Sequence, residues 1–439
     1  MKYLIKGGRV IDPSENMDGV FDILVSDGKI SEIVSSVQAK DAKVIDASGM
    51  IVAPGLIDMH VHLREPGRED EETVLTGTRA AAKGGFTTVV CMPNTEPALD
   101  NVDILRKLKA IIAKDAIVNV LPAGAITIGR LGKDLTDIKA MAKEGIVAIS
   151  DDGSSVDGAS LMSKALNGAK SAGIVVIDHC EDATLSGKGV MNHGFVSTKA
   201  GLRGISNESE YKRIERDIDL AEKAGARIHI AHVSCKESVE VIRNAKKRGV
   251  HVTAETAPHY FALTDECCAT YDTNTKINPP LRTAEDVEAI KKALADGTID
   301  VIASDHAPHT DCEKDVEFDL APFGKIGLES SLGVSVLELI LGKVLTWKQL
   351  VEKFTSNPAR ILGLKSGTLK KGAQADITII DPKKEYTITA DSLESKSRNS
   401  PFVGWRMTGK AVHMFVSGKP VMLDEKISNR HPETEGRRI

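Results

Sequence analysis

Short apolar runs alternate with helical segments through the middle of the chain. Eight runs are rich in Val, Ile and Leu: LIDMHVHL, TTVVCMP, IVNVLPAG, IVAISDDG, IVVIDHCED, RIHIAHVS, HVTAETAPHY and DVIASDHAPH. The stretches between them, such as DEETVLTGTRAAAKGG and KESVEVIRNAKKRG, place apolar residues at helical spacing and often end in glycine. Repeated strand–helix units predict an α/β protein with a parallel sheet, and eight of them favour a closed, TIM-like (β/α)8 barrel over an open sheet.

The two ends of the chain have a different pattern. Short strands separated by turns are predicted in YLIKGGRVID, VFDILVSDGKISEIV and KVIDASGMIVAPG, and again in GTLKKGAQADITIID and AVHMFVSGKPVM. We expect both ends to pair in one small β-sandwich domain formed by residues 1–54 and 363–439, with the barrel at 55–362.

Two connections are too long to be simple crossovers between a strand and the next helix. They run from Asp182 to about Ser206 and from Tyr260 to about Thr283. Loops of this length inside a compact domain are usually functional. A third long stretch, TDCEKDVEFDLAPFGKIGLE, follows the eighth strand, and its glycines and mixed charges predict a mobile loop rather than a strand or helix.

Composition excludes several classes of function. The net charge of -5 provides no basic field for nucleic acid, and 4% aromatic residues provide few surfaces on which bases could stack. The chain has no apolar secretory segment after Met1 and no run of about 18 apolar residues that could span a bilayer. Its six cysteines contain no CxxC pair, which favours reduced thiols. We therefore expect a cytoplasmic protein that binds neither nucleic acid nor membrane.

Polar residues collect at the C-terminal ends of the predicted strands, where active sites of such barrels lie. They are His60, His62, Asp151, Asp152, His179, His232 and Asp305. The i, i+2 spacing of His60 and His62 points both imidazoles into the barrel. Imidazoles with carboxylates suit zinc, or less firmly manganese and cobalt.

A single His-x-His pair on a strand is more often a pair of satisfied polar residues than a metal site. Four histidines and at least two carboxylates at one barrel mouth are harder to explain in that way, because an unpaired buried carboxylate costs several kcal/mol. Seven candidate groups exceed the four ligands of one zinc ion. We therefore expect two ions bridged by a shared carboxylate and a hydroxide.

These motifs resemble those of the amidohydrolase superfamily, and within it those of bacterial class I dihydroorotases. DMHVHLREPG, CMPNT, SDDG, DHCED, AHVS, TKINPPLR and SDHAPH follow one another in that order and cover nearly the whole chain. The resemblance implies a distorted (β/α)8 barrel with a small β-sandwich. It also implies the interconversion of dihydroorotate and N-carbamoyl-L-aspartate in pyrimidine biosynthesis, with Asp305 as the general acid and base.

The resemblance also implies which residues hold the metals. Its six ligands are His60, His62 and Asp305 on one zinc ion, His179 and His232 on the other, and Asp152 between the two. Asp151 is the rival bridge. Hydantoinases and animal-type dihydroorotases need a carboxylated lysine at a strand end, but here the nearest lysines, Lys133, Lys139 and Lys143, belong to the preceding helical stretch. We expect Asp152 to bridge directly, and we assign no role to Cys312.

Four further residues match positions that bind the substrate in the family: Arg64, Asn94, Asn278 and His309. An arginine fork pairs bidentately with a carboxylate, and asparagine can both donate to and accept from a ureide. As alternatives, Arg64 pairs with Glu65 or Glu69 at the rim, and the two asparagines are turn residues beside proline.

Two other functions compete with this interpretation. A hydantoinase, dihydropyrimidinase or allantoinase would share the barrel and metal chemistry, but its substrate lacks the carboxylate that Arg64 would bind. A catalytically inactive scaffold would have lost ligands, and all the expected ligands are present. As partners, the resemblance implies a small-molecule substrate and leaves open a homodimer and a complex with aspartate transcarbamoylase.

Overall fold

The computed structural model describes residues 1–428, so the last part of the predicted sandwich segment, 429–439, lies outside the described residues. The chain begins with five strands: β1 (Lys2–Asp12), β2 (Met17–Ser26), β3 (Lys29–Val34), β4 (Ala42–Asp46) and β5 (Ile51–Pro54). β1 pairs antiparallel with β2 and parallel with β4 and β5. The turn between β2 and β3 is Asp27–Gly28, with φ of 52° and 78°. Asp-Gly favours such a hairpin turn because glycine has no Cβ to clash at positive φ.

The barrel follows directly. The next ten strands are β6 (Leu56–Val61), β7 (Phe86–Cys91), β8 (Asn119–Ala125), β9 (Ala148–Ser150), β10 (Val175–Asp178), β11 (Met191–Asn192), β12 (Gly204–Ile205), β13 (Ile228–Ile230), β14 (Val252–Thr256) and β15 (Val301–Ile302). β11 and β12 form a separate two-stranded ribbon, and the other eight make one parallel sheet. A parallel bridge between Val61 and His306 closes this sheet from β15 back to β6. The predicted (β/α)8 barrel and its eight strands are confirmed.

Helices lie between the strands. They are α1 (Val74–Gly84), α2 (Val102–Asp115), α3 (Ile138–Glu144), α4 (Ala159–Ala172), α5 (Ala183–Ser186), α6 (Phe195–Ala200), α7 (Glu208–Ala224), α8 (Lys236–Lys247), α9 (Pro258–Ala262), α10 (Ala284–Asp296), α11 (Asp311–Lys314), α12 (Leu328–Ser335), α13 (Trp347–Phe354) and α14 (Ser356–Leu362), with a π-helical turn at Val336–Leu341. α1 shows how the sequence sets a helix: Thr73 caps its first turn by accepting a hydrogen bond from the Thr76 N–H, and Gly85 ends it at φ 90°.

The C-terminal part returns to the first sheet. Its strands are β16 (Ile377–Thr387), β17 (Arg406–Val416), β18 (Lys419–Leu423) and β19 (Lys426–Ile427). β16 pairs antiparallel with β5, which joins strands from both ends of the chain in one nine-stranded sheet. Tyr3 and Ile5 share a buried cluster with Ile377 and Phe415. The sandwich-like domain built from both ends is confirmed, whereas its division from the barrel at residues 54 and 362 stays a prediction.

The three long connections contain short elements of secondary structure. The first holds α5, α6 and the β11–β12 ribbon, and the second holds 3-10 turns at Asp265–Thr270 and Thr273–Thr275. The third was predicted to lack helix, and this is wrong at its start, where α11 forms. Thr310 and Glu313 cap that helix reciprocally. The sequence TDCE contains this capping box, which favours a helical turn.

Candidate active site

The Asp152 carboxylate lies among four histidines at the barrel mouth. Its Oδ1 is 3.2 Å from His60 Nε2, 3.4 Å from His232 Nε2 and 3.5 Å from His179 Nδ1, and its Oδ2 is 3.4 Å from His62 Nε2. All five side chains are buried. The ends of four strands thus bring these groups together, as parallel strands of a barrel must.

Asp305 joins the same cluster from the end of β15. Its Oδ1 lies 3.5 Å from His62 Nε2 and 3.8 Å from His60 Nε2. Asp58 ties the two segments together, because its carboxylate accepts hydrogen bonds from the backbone N–H groups of His60 and Ser304 at 3.0 and 3.1 Å. Asp305 has a left-handed backbone, with φ 47°. Non-glycine residues rarely adopt this conformation, and those that do are concentrated at functional sites.

Two atoms at the centre of this cluster are buried but unsatisfied. Among the described residues, His60 Nε2 and Asp152 Oδ1 make no hydrogen bond, although they lie close together. Buried polar atoms normally have a partner, because leaving one unpaired costs about 1–3 kcal/mol. Ligand atoms of His60, His62 and Asp305 lie within 4.8 Å of one another, and so do those of His60, Asp152 and His232. This arrangement of donors fits a metal site.

Electrostatics keeps both carboxylates charged. Burial alone would raise the pKa of Asp152, but the charge of His60 and contacts with His179 and His232 hold the pKa well below its usual range. Burial would likewise raise the pKa of Asp305, and the contact with His62 and the charges of nearby histidines lower that pKa instead. Ionised carboxylates are the form that binds metal.

Asp151 has a different environment from Asp152. Its Oδ1 accepts hydrogen bonds from the N–H groups of Ile126 and Thr127 at 2.8 and 3.0 Å, and its Oδ2 accepts one from the Thr127 hydroxyl at 2.5 Å. Both oxygens are therefore occupied by the segment that follows β8. Of the two rival bridges, Asp152 is the one beside the histidines.

Arg64 and His309 meet at the edge of this cluster. Arg64 Nε lies 2.9 Å from Glu71 Oε2 and donates a hydrogen bond to the Pro308 carbonyl at 3.1 Å. His309 Nδ1 lies 2.8 Å from Glu71 Oε1, and its Nε2 is 3.5 Å from Arg64 Nη2. The alternative pairing of Arg64 with Glu65 or Glu69 is wrong, because the acidic partner is Glu71.

The two asparagines lie beside candidate metal ligands. Asn94 Oδ1 is 2.7 Å from His62 Nδ1. Asn278 Nδ2 donates a hydrogen bond to Glu181 Oε2 at 3.0 Å, and that oxygen is 3.4 Å from His179 Nε2. The structure thus brings every predicted site residue to one end of the barrel. Cys312 is exposed on α11.

Comparison with known proteins identifies the family. A family model described as Dihydro-orotase-like matches residues 49–238. A dihydroorotase from Geotalea daltonii is 56% identical over 422 residues, which cover 96% of this chain and 99% of the relative. A dihydroorotase from Pelotomaculum thermopropionicum is 55% identical over 427 residues, covering 97% and 100%. The chain belongs to the dihydroorotase family.

Solved structures of related enzymes share the fold of this dihydroorotase family member. The L-hydantoinase (dihydropyrimidinase) from Arthrobacter aurescens has a TM-score of 0.88 at 26% identity and covers 97% of both chains. The dihydropyrimidinase from Brevibacillus agri has a TM-score of 0.85 at 25% identity, covering 97% and 96%. The chain is therefore a cyclic amide hydrolase, and the much higher identity to dihydroorotases favours that activity over the hydantoinase alternative. Family membership also implies a metal, which the histidine and aspartate groups fit.

Sequence reasoning missed the carboxylates behind the dihydroorotase ligands. Glu255 on β14 places Oε1 2.7 Å from His60 Nδ1 and Oε2 3.1 Å from His229 Nε2. Burial alone would raise the pKa of Glu255, but the two histidines lower the pKa to about 2. Such outer carboxylates fix the ring orientation of metal-binding histidines. The available signal was a glutamate in the seventh predicted strand, which, like the third, had no assigned residue.

Within residues 1–428, no helix has the length and apolar character needed to cross a membrane.

Proposed function

We propose that the chain interconverts (S)-dihydroorotate and N-carbamoyl-L-aspartate in de novo pyrimidine biosynthesis, using two zinc ions. The observation that carries the proposal is the buried Asp152 carboxylate among four histidines, with the Arg64 guanidinium at the same barrel mouth. The first group suits metal-assisted hydrolysis, and the second suits a substrate that carries a carboxylate.

In this proposal six side chains hold the ions. His60, His62 and Asp305 would hold one ion and His179 and His232 the other, with Asp152 shared between the two groups. When bound, two divalent cations make a water nucleophilic at neutral pH and polarise the amide carbonyl. Lys325 is buried near Asp305, but its Nζ donates to the Ser304 carbonyl at 2.5 Å. A carboxylated lysine is therefore not part of the proposal.

Asp305 moves the proton. Its carboxylate accepts a proton from the attacking water at one oxygen and passes that proton to the ring nitrogen as the C–N bond breaks. The low pKa of this carboxyl keeps it ionised and ready to accept before attack. In the ring-closing direction, the same oxygen removes a proton from the ureide nitrogen.

Arg64, Asn94 and Asn278 orient the substrate. Arg64 uses Nε for the Pro308 carbonyl and Glu71, which leaves the end of its guanidinium fork for the substrate carboxylate. Asn94 uses Oδ1 for His62 and keeps its amide hydrogens, whereas Asn278 uses Nδ2 for Glu181 and keeps its carbonyl oxygen. The pair thus offers a donor and an acceptor to the ring. His309 lies beside Arg64 and contributes to the same carboxylate-binding edge.

The test compares dihydroorotate with hydantoin, dihydrouracil and allantoin as substrates of the zinc-loaded protein. We expect dihydroorotate to have by far the highest kcat/KM, and Asp152→Asn to lose that activity. Preferred turnover of an uncharged ring would contradict the proposal. A homodimer and a complex with aspartate transcarbamoylase stay predictions, which sedimentation of the chain alone and with the transcarbamoylase would test.

A further inference from the structure

One buried carboxylate contacts both Arg64 and His309 at the substrate edge. Glu71 is only 2% exposed, and its two oxygens divide their contacts: Oε2 lies 2.9 Å from Arg64 Nε, and Oε1 lies 2.8 Å from His309 Nδ1. Arg64 follows β6 and His309 follows β15, so Glu71 links the two loops where the barrel closes. We propose that Glu71 is a positioning residue for substrate binding, an inference that rests on the proposed function.

Glu71 also belongs to a cluster that resembles a metal site, but arginine side chains already neutralise its carboxylates. Glu71, His309 and Glu313 have ligand atoms within 4.8 Å of one another. Arg68 Nη2, however, lies 3.3 Å from Glu71 Oε1 and 2.6 Å from Glu313 Oε1, and Arg64 contacts the other oxygen of Glu71. Two guanidinium groups would repel an added cation at such distances. The carboxylate therefore serves the arginines and the histidine.

Residues from the C-terminal part of the chain hold the backbone of the Glu71 and His309 loops in place. The Ser397 hydroxyl donates a hydrogen bond to the Glu71 carbonyl at 2.7 Å. Asn399 is buried, its Oδ1 accepts from the His309 N–H at 3.3 Å, and its Nδ2 donates to the Ala307 carbonyl at 3.1 Å. The loops that carry Arg64 and His309 are thus both anchored to the same segment. Glu71 lies at the junction and is held on its main chain as well as through its side chain.

The consequence is a preorganised carboxylate-binding edge. A free arginine side chain samples many rotamers, and ordering it reduces the affinity for the ligand it binds. Glu71 holds Arg64 at Nε, and the opposite edge of the His309 ring is held by the Phe323 carbonyl, 2.8 Å from Nε2. The rest of the guanidinium fork remains in place for the substrate. Loss of Glu71 should therefore weaken substrate binding more than it slows the chemical step.

The first test replaces Glu71 by glutamine, which keeps the size and removes the charge. Losing a hydrogen bond to a charged group should raise KM for dihydroorotate roughly tenfold to hundredfold, with a smaller change in kcat. Zinc content and Tm should stay near wild type. Asp70→Asn is the matched control, because it removes the same charge from an exposed neighbour whose carboxylate pairs with Arg68. An unchanged KM in Glu71→Gln overturns the inference.

The second test is a double-mutant cycle with Arg64→Ala. If Glu71 acts through Arg64, Glu71→Gln should cost much less in KM when Arg64 is already absent. An equal cost in both backgrounds would indicate a general structural role and overturn the inference. Should Glu71→Gln fail to fold, Glu71→Asp keeps the charge but is too short to span both partners, so a wild-type KM in that variant also overturns it. Absence of dihydroorotate turnover in the wild type would instead refute the proposed function.

Discussion

Replacing Glu255 should weaken metal binding although this residue is not itself a proposed ligand. Its side chain is only 1% exposed, and Oε1 lies 2.7 Å from the Nδ1 atom of His60, whose Nε2 faces the metal site. Because the pKa of Glu255 is about 2, its charge is present throughout the working pH range. Glu255 therefore orients His60 and increases the basicity of its ring.

The magnitude follows from the kind of hydrogen bond that is lost. A bond to a charged group contributes about 1.5–3 kcal/mol, and a neutral one about 0.5–1.5 kcal/mol. Glu255→Gln keeps an acceptor but loses the charge, so zinc affinity should fall by about 1–1.5 kcal/mol, or roughly fivefold to tenfold. Glu255→Ala removes the acceptor altogether and should approach the hundredfold loss seen when outer partners of metal-binding histidines are removed.

The assay is a zinc titration of the metal-free protein against a competing chromogenic chelator at neutral pH. Glu266→Gln is the control, because Glu266 is an exposed glutamate in the connection after the same strand. We expect the zinc Kd to increase in the order wild type, Glu255→Gln, Glu255→Ala, with the control equal to wild type. A lower Tm with an unchanged zinc Kd would refute the reasoning, because Glu255 would then act only in packing.

Three further predictions concern separate features of the molecule. Arg64→Ala should lower kcat/KM for dihydroorotate by well over tenfold, because losing a buried charge pair costs about 2–5 kcal/mol. Its zinc content should stay unchanged, and normal kinetics would argue for an uncharged substrate. Asp152→Asn should lose metal and most activity, whereas Asp151→Asn should mainly lower Tm. Reconstitution of the wild-type protein with metal in bicarbonate-free buffer should recover full activity, and a carbon dioxide adduct on a lysine would contradict this. Burial lowers the pKa of Lys353 from 10.5 to about 8, so the unfolded chain binds more protons between these pH values and stability should rise with pH across that window. The free energy of unfolding of the wild type relative to Lys353→Met should increase by about 3 kcal/mol from pH 8 to 10.5, and parallel pH profiles of the two proteins would refute it.

The barrel and its metal cluster could be predicted because their signals are local. Each strand carries its own apolar run, and the ends of parallel strands must share one barrel mouth. His60 and Asp305 therefore meet for a topological reason, although more than half of the chain separates them. The resemblance favoured Asp152 as the bridge and left Asp151 as a rival. Only the structure places the Asp152 carboxylate beside the histidines, because adjacent residues at a strand end point in different directions, and the segment after β8 occupies Asp151.

The outer carboxylates could not be predicted, because their roles depend on tertiary neighbours. The stretch GREDEET contains four consecutive acidic residues, and nothing in the sequence distinguishes one from another. Only the closed barrel determines that Glu71 contacts both Arg64 and His309. The alternative prediction that Arg64 pairs with Glu65 or Glu69 was wrong for the same reason. The helical turn at α11, by contrast, was readable from Thr310 and Glu313, whose spacing matches a capping box.

The pairing of β5 with β16 has a consequence for synthesis on the ribosome. Roughly 320 residues separate Pro54 from Ile377, its partner across the sheet. At a translation rate of about 5–20 residues per second, β5 emerges roughly 15 to 60 seconds before β16 exists. During that time the β5 edge and the apolar side chains that will pack on Ile377 and Phe415 have no partner from the C-terminal strands. The N-terminal strands are therefore the part of the nascent chain that chaperones should bind first.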